Sequence, residues 1–263
     1  STSSQEEMER SNVVGTRRLL EAAAPGQLER AVHMSSTSIY GEEVQLPLPV
    51  REDTEPRPSR GYGKAKWGAE QEVWAQGRAG LAVTVLRPVS VYGPGNVKLL
   101  ASAILDVAIE RRAGLAAVAV HAVPLEQRLV HIDDVVNAAV HLSTHPDAAG
   151  RAYNVVGPTY PTNHEVARVI ADAFAMTVEL DDDPACGLGQ PERVATHAAM
   201  VAGGMVPAIL LTNPRFRFMG KANRNNRLSV DALLATGYHF AHGDLALGIE
   251  RVIAWYRSHK WVV

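Results

Sequence analysis

The chain has a single cysteine, Cys186, among its 263 residues. One thiol forms no internal disulfide and no cysteine-based metal cluster, and it fits a reducing cytoplasm. Neither sign of charge is in excess. With 26 Lys and Arg against 28 Asp and Glu, the net charge is −2, so bulk charge offers no nucleic-acid surface. Long apolar runs are also missing: residues 198–211 are uncharged, but Gly203, Gly204 and Pro207 interrupt them. They fall short of the roughly 20 residues that cross a bilayer. The opening Ser-Thr-Ser-Ser-Gln-Glu-Glu-Met is polar and acidic, without the basic-then-apolar pattern of a secretory signal. No internal repeat or low-complexity tract is present. The expected setting is therefore cytoplasmic, with no membrane and no nucleic-acid partner. What remains is an ordinary globular composition, 46% apolar and 21% charged, enough for one large domain or two small ones.

Periodicity predicts alternating strands and helices over the first 175 residues or so. Residues 9–24 carry an amphipathic helical pattern (Val13, Leu19, Leu20, Ala23) that Pro25 and Gly26 stop. Residues 30–34 and 81–86 read as buried strands, and 116–120, 128–130, 152–156 and 177–180 as further short ones. Helices are expected over 62–76, 99–111, 133–142 and 164–174, the last with Asn163 as N-cap. This alternation points to an α/β fold with a largely parallel sheet. After Asp181 the texture changes. Residues 190–211 are apolar and rich in alanine and methionine, 213–227 are basic, and 231–236 and 245–260 read as closing helices. The expected division is a sheet-containing domain over 1–180 and a smaller substrate lobe over 181–263.

Two features suit chemistry. Residues 35–41, Ser-Ser-Thr-Ser-Ile-Tyr-Gly, place hydroxyls at the carboxyl end of a strand, the edge where open parallel sheets bind ligands. Tyr62 and Lys66 stand four apart in a predicted helix and so share one face. A cation beside a phenol favours the phenolate and lowers its pKa from about 10, which makes the tyrosine a usable acid/base. Alone, that spacing is common. The histidines carry no zinc-like spacing with a carboxylate partner, so no metal site is expected.

Taken in order, the segments resemble the extended short-chain dehydrogenase/reductase family, of the NAD-dependent epimerase/dehydratase type. Asn12-Val13-Val14-Gly15-Thr16 is similar to its Asn-x-x-Gly-Thr helix, residues 35–41 to its serine strand end, and Tyr62–Lys66 with Glu70 to its Tyr-x-x-x-Lys helix. Arg87-Pro88 through Tyr92-Gly93-Pro94-Gly95, the Arg128–Val136 segment, Tyr153-Asn154-Val155, Gly237-Tyr238 and Ala254-Trp255-Tyr256 follow in family order. The resemblance implies a Rossmann-like sheet and NAD or NADP as cofactor. It implies that Tyr62 exchanges a proton with a substrate hydroxyl, and that Lys66 lowers the Tyr62 pKa and bonds the nicotinamide ribose. Ser36 would bond the same substrate oxygen. Asn12, Pro88 and Val91 would lie against the cofactor, and Ser36, Ser90 and Arg128 against the substrate.

The departures are as informative. The family cradles its dinucleotide on a Gly-x-x-Gly-x-x-Gly turn between its first strand and helix; no such turn occurs in this sequence. The expectation is an N-terminally incomplete Rossmann-like sheet, by truncation or by natural loss, with truncation favoured. The strand edge this leaves is expected to drive either oligomerisation, here into a homodimer, or poor solubility. Ser36-Thr37-Ser38 replaces the dehydratases' Thr-Asp-Glu, which disfavours sugar 4,6-dehydration, and Ser90 stands where sugar-nucleotide enzymes carry asparagine. Arg128, with Arg224 or Arg227, suits a diphosphate, whereas the apolar 190–211 stretch suits a lipophilic alcohol. The sequence thus reads as an NAD(P)-dependent oxidoreductase or epimerase acting at a secondary alcohol carbon. The alternative is a non-catalytic binding or scaffold protein that has lost its dinucleotide half.

Overall fold

The computed structural model describes residues 4–23, 28–41, 45–96, 100–112, 114–181 and 227–262, together with positions 199 and 202. The apolar stretch expected over 190–211, the basic run up to residue 226 with Arg224, and the acidic loop beyond Asp181 lie outside the described residues. In chain order the first elements are α1 (Gln5–Glu9), a π-helical turn (Arg10–Val14), α2 (Gly15–Ala22), β1 (Arg30–Met34), a 3-10 turn (Thr37–Tyr40) and α3 (Gly61–Arg78). Then come β2 (Ala82–Pro88), β3 (Ser90–Tyr92), α4 (Leu100–Arg112), β4 (Ala117–His121), β5 (Leu129–His131) and α5 (Ile132–Thr144). A second 3-10 turn (Pro146–Ala148) leads to β6 (Arg151–Val155), α6 (Asn163–Ala173) and β7 (Thr177–Asp181), followed by α7 (Asp231–Leu234) and α8 (Leu245–Ser258).

The chain forms two units. The first draws on Ser1–Val91, Asp133–Val156 and Asn223–Ala241, the second on Tyr92–Ile132, Gly157–Ala222 and His242–Val263. In the first unit β1, β2 and β6 make a parallel sheet in that order. Parallel neighbours need a crossover, and α3 supplies it between β1 and β2. β2 (Ala-Val-Thr-Val-Leu-Arg-Pro) is buried from Val83 to Pro88, as its β-branched residues and central place require. Among the described residues β1 pairs on one side only, and its side chains are half-buried or exposed throughout. Val73 on α3 packs on Val83 and Val85, the heart of this unit's apolar core. Gly77 lets the helix settle there, since a Cβ at that position would stand 2.8 Å from Val83 Cγ2.

The helix expected over 9–24 is divided into α1, the π-helical turn and α2. Within that turn Asn12 turns its side-chain amide back onto the Met8 carbonyl, 2.9 Å away, a local bond of the kind that disturbs the regular helical ladder. Val13 then lies over Gly68 of α3, where a Cβ would meet it at 2.9 Å.

The second unit pairs β4 with β7 in parallel. Its core joins Ile104 and Ile109 of α4, Val118 and Val120, Ile170 of α6, and Ile249, Ile253 and Tyr256 of α8. The cap of α6 corrects the sequence expectation. Thr162, not Asn163, is the N-cap, accepting from Glu165 N–H, with Glu165 reaching back to the Thr162 N–H. Asn163 is buried and otherwise engaged: it accepts from Leu125 N–H at 2.7 Å and donates to the His121 and Val123 carbonyls.

Candidate active site

The site lies in the first unit, at the carboxyl end of β1. Ser35 continues the strand ladder, its N–H donating to the Leu86 carbonyl at 2.7 Å. Ser36 remains extended and caps the 3-10 turn that follows. Its Oγ accepts from the Ser38 N–H at 3.2 Å and from the Ser38 hydroxyl at 3.1 Å. A serine oxygen has two acceptor positions and one proton. With both acceptors in use, the Ser36 proton favours the ionised form of the Tyr62 phenol at the adjoining helix start.

Tyr62 is the second residue of α3, and a close approach brings it within reach. A Cβ on Gly63 would stand 2.6 Å from the Ser38 carbonyl oxygen, so only glycine lets the helix start lie this near the turn. The ring is 47% exposed, open to a ligand on one side. Partial burial holds the phenol above its ordinary value of 10, and the Ser36 hydrogen bond works in the opposite direction. Lys66, one turn further on, points its Nζ at the Met34 carbonyl, 3.1 Å away, and lies 5.9 Å from the Tyr62 ring centre. Burial lowers the Lys66 pKa.

Here the electrostatics differ from the sequence expectation. A lysine-depressed tyrosine was expected, yet the phenol is raised. The ammonium is directed at a carbonyl on β1, and desolvation of the ring is the larger effect.

Beneath this pair lies a buried polar cluster that the motifs alone did not disclose. Glu70 is fully buried and forms an ion pair with Arg87 of β2, which is itself 4% exposed. Arg87 reaches both Glu70 oxygens, while Ser35 Oγ donates to Glu70 Oε2 at 2.8 Å and Trp74 Nε1 to Oε1 at 3.1 Å. Arg87 also donates to the Tyr40 hydroxyl and the Glu52 carbonyl, each at 2.7 Å. The Tyr40 hydroxyl donates to Asn154 Oδ1 at 2.9 Å. Burial pushes the Tyr40 phenol up to about 12, against the pull of Arg87. One sequence signal for this cluster exists: an arginine in a strand that is otherwise apolar demands a buried carboxylate.

The structure therefore brings Tyr62, Lys66 and Ser36 together. Pro88 is tied to the same turn, its carbonyl accepting from Thr37 Oγ1 at 3.4 Å. Ser90 and Val91 lie just beyond it on β3, both half-buried. Asn12 sits in the π-helical turn with its amide on Met8, and Arg128 belongs to the second unit, half-buried before β5.

Residues 1–155 match the NAD dependent epimerase/dehydratase family. The chain belongs to that family. It is 31% identical over 180 residues to the GDP-6-deoxy-D-mannose reductase of Pseudomonas aeruginosa, covering 66% of this chain and 59% of that protein. It is 27% identical over 164 residues to the UDP-glucose 4-epimerase of Vibrio cholerae, covering 62% of this chain and 49% of that one. The chain thus spans about half to three-fifths of the length of these curated relatives. Among solved structures, RMD from Pseudomonas aeruginosa complexed with NADPH superposes with a TM-score of 0.69 at 22% identity, covering 97% of this chain and 75% of that one. The UDP-glucose 4-epimerase of Thermotoga maritima with UDP-glucose gives 0.68 at 18% identity, covering 97% and 72%. These likenesses show the Rossmann-like α/β fold expected from the sequence.

Proposed function

We propose that this protein is an NAD(P)-dependent oxidoreductase or epimerase acting at a secondary alcohol carbon, with a nucleotide-linked sugar as the substrate class. The observation that carries this reading is geometric: a half-exposed Tyr62 one turn from Lys66, on a helix whose start is set hard against the Ser36–Ser38 turn. The nucleotide-sugar class is favoured over a lipophilic alcohol because the named relatives are a GDP-sugar reductase and a UDP-sugar epimerase.

The residues at hand fit the nicotinamide end of a dinucleotide. An ammonium has three N–H donors, and Lys66 gives one to Met34, which leaves two for the hydroxyls of a ribose. Among the described residues no glycine-rich strand-to-helix turn is present, so the fit is limited to that end. When bound, the nicotinamide supplies a hydride donor or acceptor.

The protein's part is to handle the proton. Tyr62 stays protonated below its raised pKa and donates to the oxygen of a carbonyl being reduced. Ser36 can turn its donated hydrogen bond from Tyr62 to the same oxygen, holding it within reach. In the oxidative direction Tyr62 accepts the alcohol proton, so alcohol oxidation accelerates with rising pH. Pro88 and Val91 flank the ring-binding side, and Ser90 and Arg128 remain the proposed substrate contacts. A homodimer is part of this proposal, which light scattering on the complete natural polypeptide tests.

The test of the functional reading is calorimetry with NAD(H) and NADP(H) on the complete natural polypeptide, followed by assays with UDP- and GDP-linked sugars. Micromolar binding of one cofactor with turnover of a nucleotide sugar is expected. Absence of binding to either overturns the reading in favour of a non-catalytic role.

A further inference from the structure

We infer that Glu70 and Ser35 are positioning residues for the Tyr62–Ser36 pair; this rests on the reading of that pair as the proton-transfer couple. Three side chains on successive turns of α3 meet three consecutive residues at the end of β1. The helix start at Tyr62 and Gly63 abuts the turn that Ser36 caps, Lys66 donates to the Met34 carbonyl, and Ser35 donates to Glu70. What holds each contact differs. Tyr62 and Lys66 are partly exposed, whereas Glu70 is fully buried and is gripped by Arg87 and Trp74 as well as by Ser35. A carboxylate at that depth is sustained only when it is paired and its oxygens are bonded.

Arg87 comes from β2, and the Ser35 N–H is already fixed on Leu86 of β2. The Glu70 carboxylate is thereby locked between helix and sheet, and the Ser35 hydroxyl is locked to it. Ser36 is the next residue. The orientation of the peptide joining the two decides whether Ser36 Oγ meets Tyr62. Loss of the Ser35 hydroxyl removes the buried tie between the strand end and α3, leaving the Lys66–Met34 contact and the Glu70–Arg87 pair in place. The Ser36 bond to Tyr62 then weakens, and the phenol, losing a bond that favours its ionised form, titrates later.

The test uses fluorotyrosine placed at position 62, whose fluorine resonance reports that ring alone across a pH titration. Ser35→Ala is expected to raise the midpoint by about half to one pH unit, the order of one neutral hydrogen bond. Ser36→Ala raises it too, and adding Ser35→Ala to Ser36→Ala produces no further shift, as expected for residues acting through a single bond. An unchanged midpoint in Ser35→Ala, or additive shifts in the double variant, overturns the inference. In the complete enzyme, Ser35→Ala is expected to lower kcat severalfold with the cofactor Kd unchanged. A shifted midpoint in a protein without nicotinamide-linked turnover sustains the positioning role and defeats the functional reading instead.

Discussion

The two ends of one helix face make opposite use of polar groups. At the start of α3, Tyr62 is half-exposed, on a helix start that abuts the serine turn. Two turns on, Glu70 is sealed from solvent, with each oxygen bonded to Arg87 and one further donor. A group that must exchange a proton with a ligand needs access and an uncommitted partner. A group that must hold geometry needs neither, and its burial makes any loosening costly. Under the proposed function, this stretch of α3 carries a reactive end at Tyr62 and an anchored end at Glu70, near the middle of the helix, with Lys66 between them.

The largest effect is expected at the anchored end. Glu70→Ala leaves the Arg87 guanidinium buried without its carboxylate and should destabilise the fold by about 3–5 kcal/mol, read by urea unfolding. A loss under about 1 kcal/mol would mean that water or a neighbour replaces the carboxylate, and that the anchor is weak.

Acid should expose the same end through His33 on β1. Burial, and secondarily the Lys66 cation, lower its pKa to about 4. Its folded pKa lies below the unfolded value of about 6.5, so the unfolded chain binds more protons between those limits. Stability is therefore lost as pH falls from about 6.5 towards 4, by about 2–3 kcal/mol, and His33→Leu should flatten that limb of the pH–stability curve.

Between the ends, Gly63 marks where the helix start meets the turn. Gly63→Ala gains helix propensity of about 1 kcal/mol but forces the Ser38 backbone to move, for a net loss of about 1–2 kcal/mol. It should also separate Tyr62 from Ser36 and raise the Tyr62 midpoint. A variant stabilised by the alanine, with that midpoint unchanged, would show that the approach is looser than its geometry implies.

The smallest structural effect belongs to the reactive end: Tyr62→Phe should change stability by no more than about 0.5 kcal/mol.

The sequence carried the reactive end more plainly than the anchored one, for a physical reason. Tyr62 and Lys66 are local, four apart on a helix, and the serine run lies at a strand end whose role parallel sheets make predictable. The Glu70–Arg87 pair depends on β2 lying beside β1 with α3 across them, which no local pattern encodes; only a charge in an apolar strand hints at it. The α6 cap went to Thr162 because the Asn163 amide is held by carbonyls distant in sequence. The expected depression of the Tyr62 pKa failed similarly, since spacing places Lys66 on the right face and says nothing of the Met34 carbonyl its ammonium meets. The alternation of strands and helices, resting on short-range periodicity, was legible over most of the described residues; the exceptions are the three-residue β3 (Ser90–Tyr92), too short to show a period, and the π-helical turn at Asn12.

The most direct test of the central claim is turnover of Tyr62→Phe in the complete natural polypeptide, alongside its melting temperature and cofactor affinity. The account predicts a fall in kcat of about 10²–10⁴-fold with stability and NAD(P) affinity unchanged. Turnover within twofold of the unmodified enzyme would contradict it and remove Tyr62 from proton transfer.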